Sequence, residues 1–145
     1  MRRWLWLLAL VAVVQCGDDN GDATTPVSAF IGSITGGGAT ATVVDGTPPA
    51  AAGFPGVQIF GPSAVTKGAT VQYEVAASGT TFTRVYIQIS GMSRYYQLTL
   101  PAAVTTVQLD IAVASQIGVS NFEFVFGLYN AAVGQNYGSK TVTVS

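Results

Sequence analysis

The sequence predicts an all-β protein, an antiparallel two-sheet sandwich with a β-hairpin ahead of it, and three observations carry that expectation. Apolar and polar residues alternate with period two through most of residues 57–145, the pattern of a half-buried strand. Each alternating run ends in turn residues, and the runs recur about every ten residues, the spacing of a sandwich. Only 9% of residues are charged while 49% are hydrophobic, a mixture that favours strands and turns over surface helices and still fills one core.

The chain opens on Met1, Arg2 and Arg3, followed by an unbroken apolar run over residues 4–14 and then Gln15 and Cys16. A short basic segment before a short apolar one is the arrangement of an export signal, and the run falls short of the roughly 20 residues that a spanning helix needs. Val13-Val14-Gln15-Cys16, followed by Gly17-Asp18-Asp19, resembles the lipobox of bacterial lipoproteins. Gln15 stands where that family has a small residue. The resemblance implies that residues 1–16 are a signal peptide and that Cys16, the chain's one cysteine, is the lipidated first residue of the mature protein. It further implies an exported chain that meets a membrane through its lipid anchor and faces the periplasm or the cell surface.

Residues 17–26 are polar, acidic and without periodicity, so they read as a flexible tether. Asp18, Asn20 and Asp22 have the alternate spacing of a calcium loop, but Ala23 stands where the loop needs glycine and Ala29 where it needs a bidentate glutamate. No metal is expected. Residues 27–34 and 39–45 are strand-like runs around Gly36-Gly37-Gly38, which gives a β-hairpin over 27–45. No lysine or following helix supports a phosphate cradle at that triplet. Residues 46–56, rich in Pro, Gly and Ala, read as a linker.

The sandwich is then expected over 57–145. Val57 and Ile59 begin it. Val71, Tyr73 and Val75 oppose Gln72 and Glu74; Val85, Ile87 and Ile89 oppose Arg84, Tyr86 and Gln88; Tyr96, Leu98 and Leu100 oppose Tyr95, Gln97 and Thr99. Val107, Leu109, Ile111 and Val113 form the next apolar set, Phe122, Phe124, Phe126 and Leu128 the one after, and residues 141–144 close the series. The strand over 122–129, the turn read over 130–138 and the closing run resemble the immunoglobulin-like and fibronectin type III-like modules of bacterial surface proteins. The likeness is architectural, since both tryptophans, Trp4 and Trp6, lie in the leader. It implies a spacer, adhesion or binding role.

Composition excludes several chemistries. Residues 17–145 carry seven acids against four bases, a net charge of −3, so there is no basic stripe for nucleic acid and no nucleic-acid partner is expected. With no histidine, Ser-His-Asp catalysis and His-ligated zinc are absent. A single cysteine leaves no internal disulfide.

With Gly91-Met92 as a hairpin tip, Gln88 falls opposite Tyr95, Tyr86 opposite Gln97 and Arg84 opposite Thr99, all outward, with Tyr86 and Tyr95 as diagonal neighbours. Arg84, Tyr86, Gln88, Tyr95 and Gln97 therefore form the candidate ligand face, suited to a glycan or a protein partner. An ion pair between Arg84 and Glu123 is expected on that sheet, and Glu74 and Asp110 share the outer face of the other. No catalytic residues and no cofactor are expected. The functional expectation is an exported, lipid-anchored, non-catalytic module with a structural or protein-binding role; the alternative is a carbohydrate or small-ligand binding module using an exposed Tyr/Arg face. Fatty-acid labelling of the expressed chain should be sensitive to globomycin and vanish in Cys16→Ser; an unlabelled wild-type protein would remove the anchor.

Overall fold

The computed structural model describes residues 31–145; the leader, Cys16, the tether and residues 27–30 of the expected hairpin lie outside them. Eleven strands follow one another: β1 (Ile31–Gly36), β2 (Ala39–Thr40), β3 (Thr42–Asp45), β4 (Val57–Phe60), β5 (Ala64–Val65), β6 (Thr70–Ala77), β7 (Phe82–Ile89), β8 (Arg94–Val104), β9 (Thr106–Val113), β10 (Asn121–Asn130) and β11 (Gly134–Val144). They form a five-stranded sheet in the order β2-β1-β9-β6-β4 and a six-stranded sheet in the order β3-β8-β7-β10-β11-β5. All-β architecture and two facing sheets agree with the sequence reading. Pairing is antiparallel except at the edge, where β5 runs parallel to β11.

Period-two alternation sets which side chains meet between the sheets. Val85, Ile87 and Ile89 of β7, Tyr96, Leu98 and Leu100 of β8, and Phe122, Phe124, Phe126 and Leu128 of β10 face Tyr73 and Val75 of β6 and Val107, Leu109, Ile111 and Val113 of β9. The Tyr73 ring lies 5.5 Å from both Phe124 and Phe126. Its hydroxyl donates to the Pro62 carbonyl at 2.9 Å, and the Tyr96 hydroxyl donates to the Ile31 carbonyl at 2.9 Å. Both buried hydroxyls are thus paired, and burial raises both phenols, Tyr73 to about 12.

Three boundaries differ from the sequence reading. The glycine triplet does turn the chain, at Gly37 and Gly38 with φ of +55° and +79°, but the expected hairpin is not a separate unit. β1 lies between β2 and β9, and after Ala41 the chain changes sheets so that β3 pairs with β8. A lone two-stranded ribbon would leave Ile31 and Ile34 in water; here both are fully buried in the common core. The expected linker is structured too: Phe54 is buried in the core, Ala52 bridges to Gln135, and Asn136 donates to the Phe54 carbonyl at 3.1 Å. Finally, the turn read over 130–138 is only residues 131–133. Asn130 holds it by accepting from the Ala132 N–H at 2.8 Å and donating to the Thr81 carbonyl at 2.8 Å, and β11 begins at Gly134.

Phe126, fully buried at the centre of this core, sets a test of the packing: Phe126→Ala should lower the unfolding free energy in urea by about 3–5 kcal/mol. A loss under about 1 kcal/mol would contradict the core.

Candidate functional site

The outward face of the six-stranded sheet carries the predicted ligand residues, and its register can be followed strand by strand. β7 opposes β8 with Arg84 across from Thr99, Tyr86 from Gln97 and Gln88 from Tyr95, as the sequence reading expected. On its other edge β7 meets β10, which places Tyr129 beside Arg84, Gly127 beside Tyr86 and Val125 beside Gln88. β11 continues the rows with Gln135 beside Tyr129 and Tyr137 beside Gly127. On β7, β8 and β10 the alternate residues fill the core, so the members of the set on those strands point away from it.

Four tyrosines meet on this face. The Tyr86 and Tyr95 rings pack edge to face at 5.7 Å, Tyr129 lies 6.4 Å from Tyr86, and Tyr137 stacks on Tyr86 at 6.3 Å with 26° between ring planes. Gly127 makes the stack possible. A Cβ there would come within 2.6 Å of the Tyr137 ring, so the missing side chain is the notch into which that ring leans. Arg84 closes the end of the cluster, with its guanidinium 4.9 Å above the Tyr129 ring and Nη1 donating to the Tyr86 hydroxyl at 3.3 Å. Its Nε is buried without a hydrogen-bond partner.

Residues 47–51 cross over this face as a strap. The Tyr137 hydroxyl donates to the Pro49 carbonyl and the Gln135 side-chain amide to the Ala50 carbonyl. Beside the strap lies an open groove of about 260 Å³ lined by residues 47–51 with Gln88, Val125 and Tyr137. The structure corrects one feature of the predicted site. Its residues are outward as expected, but Tyr86 and Tyr95 are only 2% and 8% exposed, and Arg84, Gln88 and Gln97 are half-buried. The stacking platform needed for a glycan is covered by the chain itself.

The predicted ion pair also fails. β10 neighbours β7 as expected, but the register puts Arg84 against Tyr129 while Glu123 lies toward the other end of β10, opposite Thr141. Among the described residues, the ion pair observed joins Arg94 and Asp45 at 2.5 Å. Sequence reasoning missed Tyr129, Gln135 and Tyr137. Tyr129 has the outward parity of β10, a signal that was present; Gln135 and Tyr137 sit in a Gly- and Asn-rich stretch that imitates a turn.

On the five-stranded sheet Glu74 and Asp110 share the outer face, as expected, but each pairs with a glutamine: Glu74 stands across from Gln108 and Asp110 from Gln72. Gln108 donates to Gln72 at 3.2 Å and Gln72 donates to Asp110 at 2.8 Å. A hollow of about 650 Å³ beside the glycine turn is lined by Asp110 and not by Glu74. Among the described residues no three His, Cys, Asp or Glu side chains gather as a metal-ligand group, and no helix is long and apolar enough to cross a membrane.

No protein-family model matches the chain, and no curated protein matches it. Among solved structures it is similar to two variants of the superoxide reductase (neelaredoxin) from Ignicoccus hospitalis. One aligns with a TM-score of 0.50 and 10% identity over 63% of this chain and 82% of that one, the other with 0.50 and 11% over 65% and 82%. The sulfur carrier protein SoxY from Chlorobium limicola f thiosulfatophilum aligns with a TM-score of 0.44 and 22% identity over 63% of this chain and 86% of that one. The architecture is that of an immunoglobulin-like β-sandwich.

This comparison overturns the expectation that the chain is not an enzyme, since superoxide reductases share its architecture. The absence of histidine excludes particular chemistries and not catalysis as such, and one fold hosts both enzymes and binding modules. At these identities the likeness is one of fold and names no reaction for this chain.

Burial raises Tyr137 to about 12, with Tyr86 and Tyr95 adding to the effect. A phenol whose folded pKa lies above its ordinary value of 10.0 binds its proton more tightly in the native state. Its stabilising contribution is therefore complete below about pH 10 and lost as pH rises through about 12. Thermal unfolding should hold steady across neutral pH and drop above about pH 10, with tyrosinate absorbance lagging the unfolded chain. Coincident titration of folded and unfolded protein would contradict the buried cluster.

Proposed function

We propose that this chain is an exported module, held on a membrane through a lipid on Cys16 and facing the periplasm or cell surface, with a structural or protein-binding role. The observation that carries the binding role is the tyrosine face under its strap. Tyr86, Tyr95, Tyr129 and Tyr137 with Arg84 gather on one side of the sandwich, and Tyr and Arg are the side chains that dominate protein interfaces. The segment above them consists of small residues whose exposure is high at Thr47, Pro49, Ala50 and Ala51. The address is supported by the basic start, the short apolar run and a sole cysteine that ends it. Stable attachment follows if more than one acyl chain is added, at about 0.8 kcal/mol per buried CH₂.

A photo-crosslinking residue placed at Thr47, beside the groove, should give a discrete adduct with an envelope protein in the membrane fraction of expressing cells. The same residue at Lys67, exposed in the β5–β6 connection, should not. Identical adducts from both positions, or none from Thr47, would count against a binding role for this face.

A further inference from the structure

We propose that the tyrosine face is a receptor for an extended, proline-rich segment of a partner protein, and that residues 47–51 occupy it in cis as a tethered competitor. This rests on the protein-binding reading above and names the partner's chemistry.

The strap has the conformational character of such a ligand. Proline fixes φ and keeps the residue before it out of the helical region, so Thr47-Pro48-Pro49 is held extended. Polyproline-type backbone makes no internal hydrogen bonds, which leaves its carbonyls free to accept from a receptor. The contacts observed are of that kind: the Tyr137 hydroxyl and the Gln135 amide donate to the successive carbonyls of Pro49 and Ala50. Neither depends on the strap's side chains, so another extended segment can make both. Aromatic walls with hydrogen-bond donors at their rim are the usual receiving surface for proline-rich segments, and here Tyr137 is both, with its ring stacked on Tyr86.

The strap fits this surface incompletely. An open groove of about 260 Å³ runs beside it, lined by Ala50 and Ala51 with Gln88, Val125 and Tyr137. A partner segment with larger apolar side chains at those positions makes the same carbonyl contacts and covers the groove as well. A tethered occupant competes within the same molecule, so a partner binds with an affinity reduced by the fraction of molecules whose strap is released.

The test is fluorescence anisotropy of a dye-labelled peptide, Thr-Pro-Pro-Leu-Leu, titrated with the full chain and two strap variants whose urea unfolding matches wild type. Four glycines inserted between Gly46 and Thr47 give the strap slack and should tighten peptide binding by about tenfold. Ala50→Leu with Ala51→Leu gives the strap the same larger side chains to lay over the groove and should weaken binding below wild type. In the insertion variant, Tyr137→Phe removes one donor and should cost about three- to tenfold. Affinity unchanged by the insertion, or by Tyr137→Phe, overturns the proposal. So does a concentration-dependent dimer of the insertion variant with no peptide signal, which would make the occupant a second copy of this chain. If the peptide fails while the Thr47 adduct persists, this inference falls and the protein-binding reading stands; if both are absent, both fall.

Discussion

β3 ends at one edge of the six-stranded sheet, and β4 begins at the edge of the other sheet nearest β11. The chain between them has to travel the full width of the sandwich. It does so on the outside of the six-stranded sheet, from Asp45 to the Ala52 bridge on β11. The crossing passes β8, β7 and β10, four strand spacings or about 19 Å, before any offset along the strands is added. The seven residue steps from Asp45 to Ala52 reach at most about 25 Å. There is little slack, so the segment must run extended, and prolines that hold the chain extended suit that requirement.

The outer surface of the sheet is organised by this crossing. Where the strap and the tyrosine cluster lie over β7 and β10, those strands are covered on both faces, and residues of outward parity such as Tyr86 can be apolar in bulk and nearly solvent-free. Their polar atoms then need partners. Tyr86 receives Arg84, Tyr137 reaches the Pro49 carbonyl, and Gln88 donates to the Met92 carbonyl at 2.6 Å. The site is built on strands whose inner faces are locked into the core, which fixes its geometry more firmly than a loop would. Gly127 belongs to the same arrangement: glycine usually weakens a strand interior, and here the ring of Tyr137 covers the gap it leaves.

Local pattern and global route were not equally legible in the sequence. Alternation located the strands from β6 to β10, and the hairpin register of β7 against β8 followed from one turn, because both depend on residues close in sequence. The β10 partner of Arg84 was missed by register rather than by strand order: neighbouring strands were correctly expected, but nothing local in Arg84 or Glu123 shows how far β10 slides along β7. Residues 46–56 were misread for a related reason. Their Pro, Gly and Ala content is the same for a free linker and for a taut crossing, and only the positions of β3 and β4 tell the two apart. Tyr86 packs against Tyr95, Tyr129 and Tyr137 of three other strands, so its burial could not be read from its own strand.

The same lack of slack governs what the strap can do. A loose loop lifts by degrees, whereas a taut segment anchored at the Asp45–Arg94 pair and the Ala52–Gln135 bridge cannot rise over the tyrosines until one anchor opens. The Ala52 end is the weaker candidate for permanence, since it is an isolated bridge, while Phe54 just beyond it is only 4% exposed and held in the core. Opening the bridge lengthens the free segment to nine residue steps, Asp45 to Phe54, a reach of about 30–32 Å, without disturbing that plug. Seated and released straps are therefore separated by a discrete rearrangement rather than a gradual one, which is the condition for a population that a competing ligand can shift.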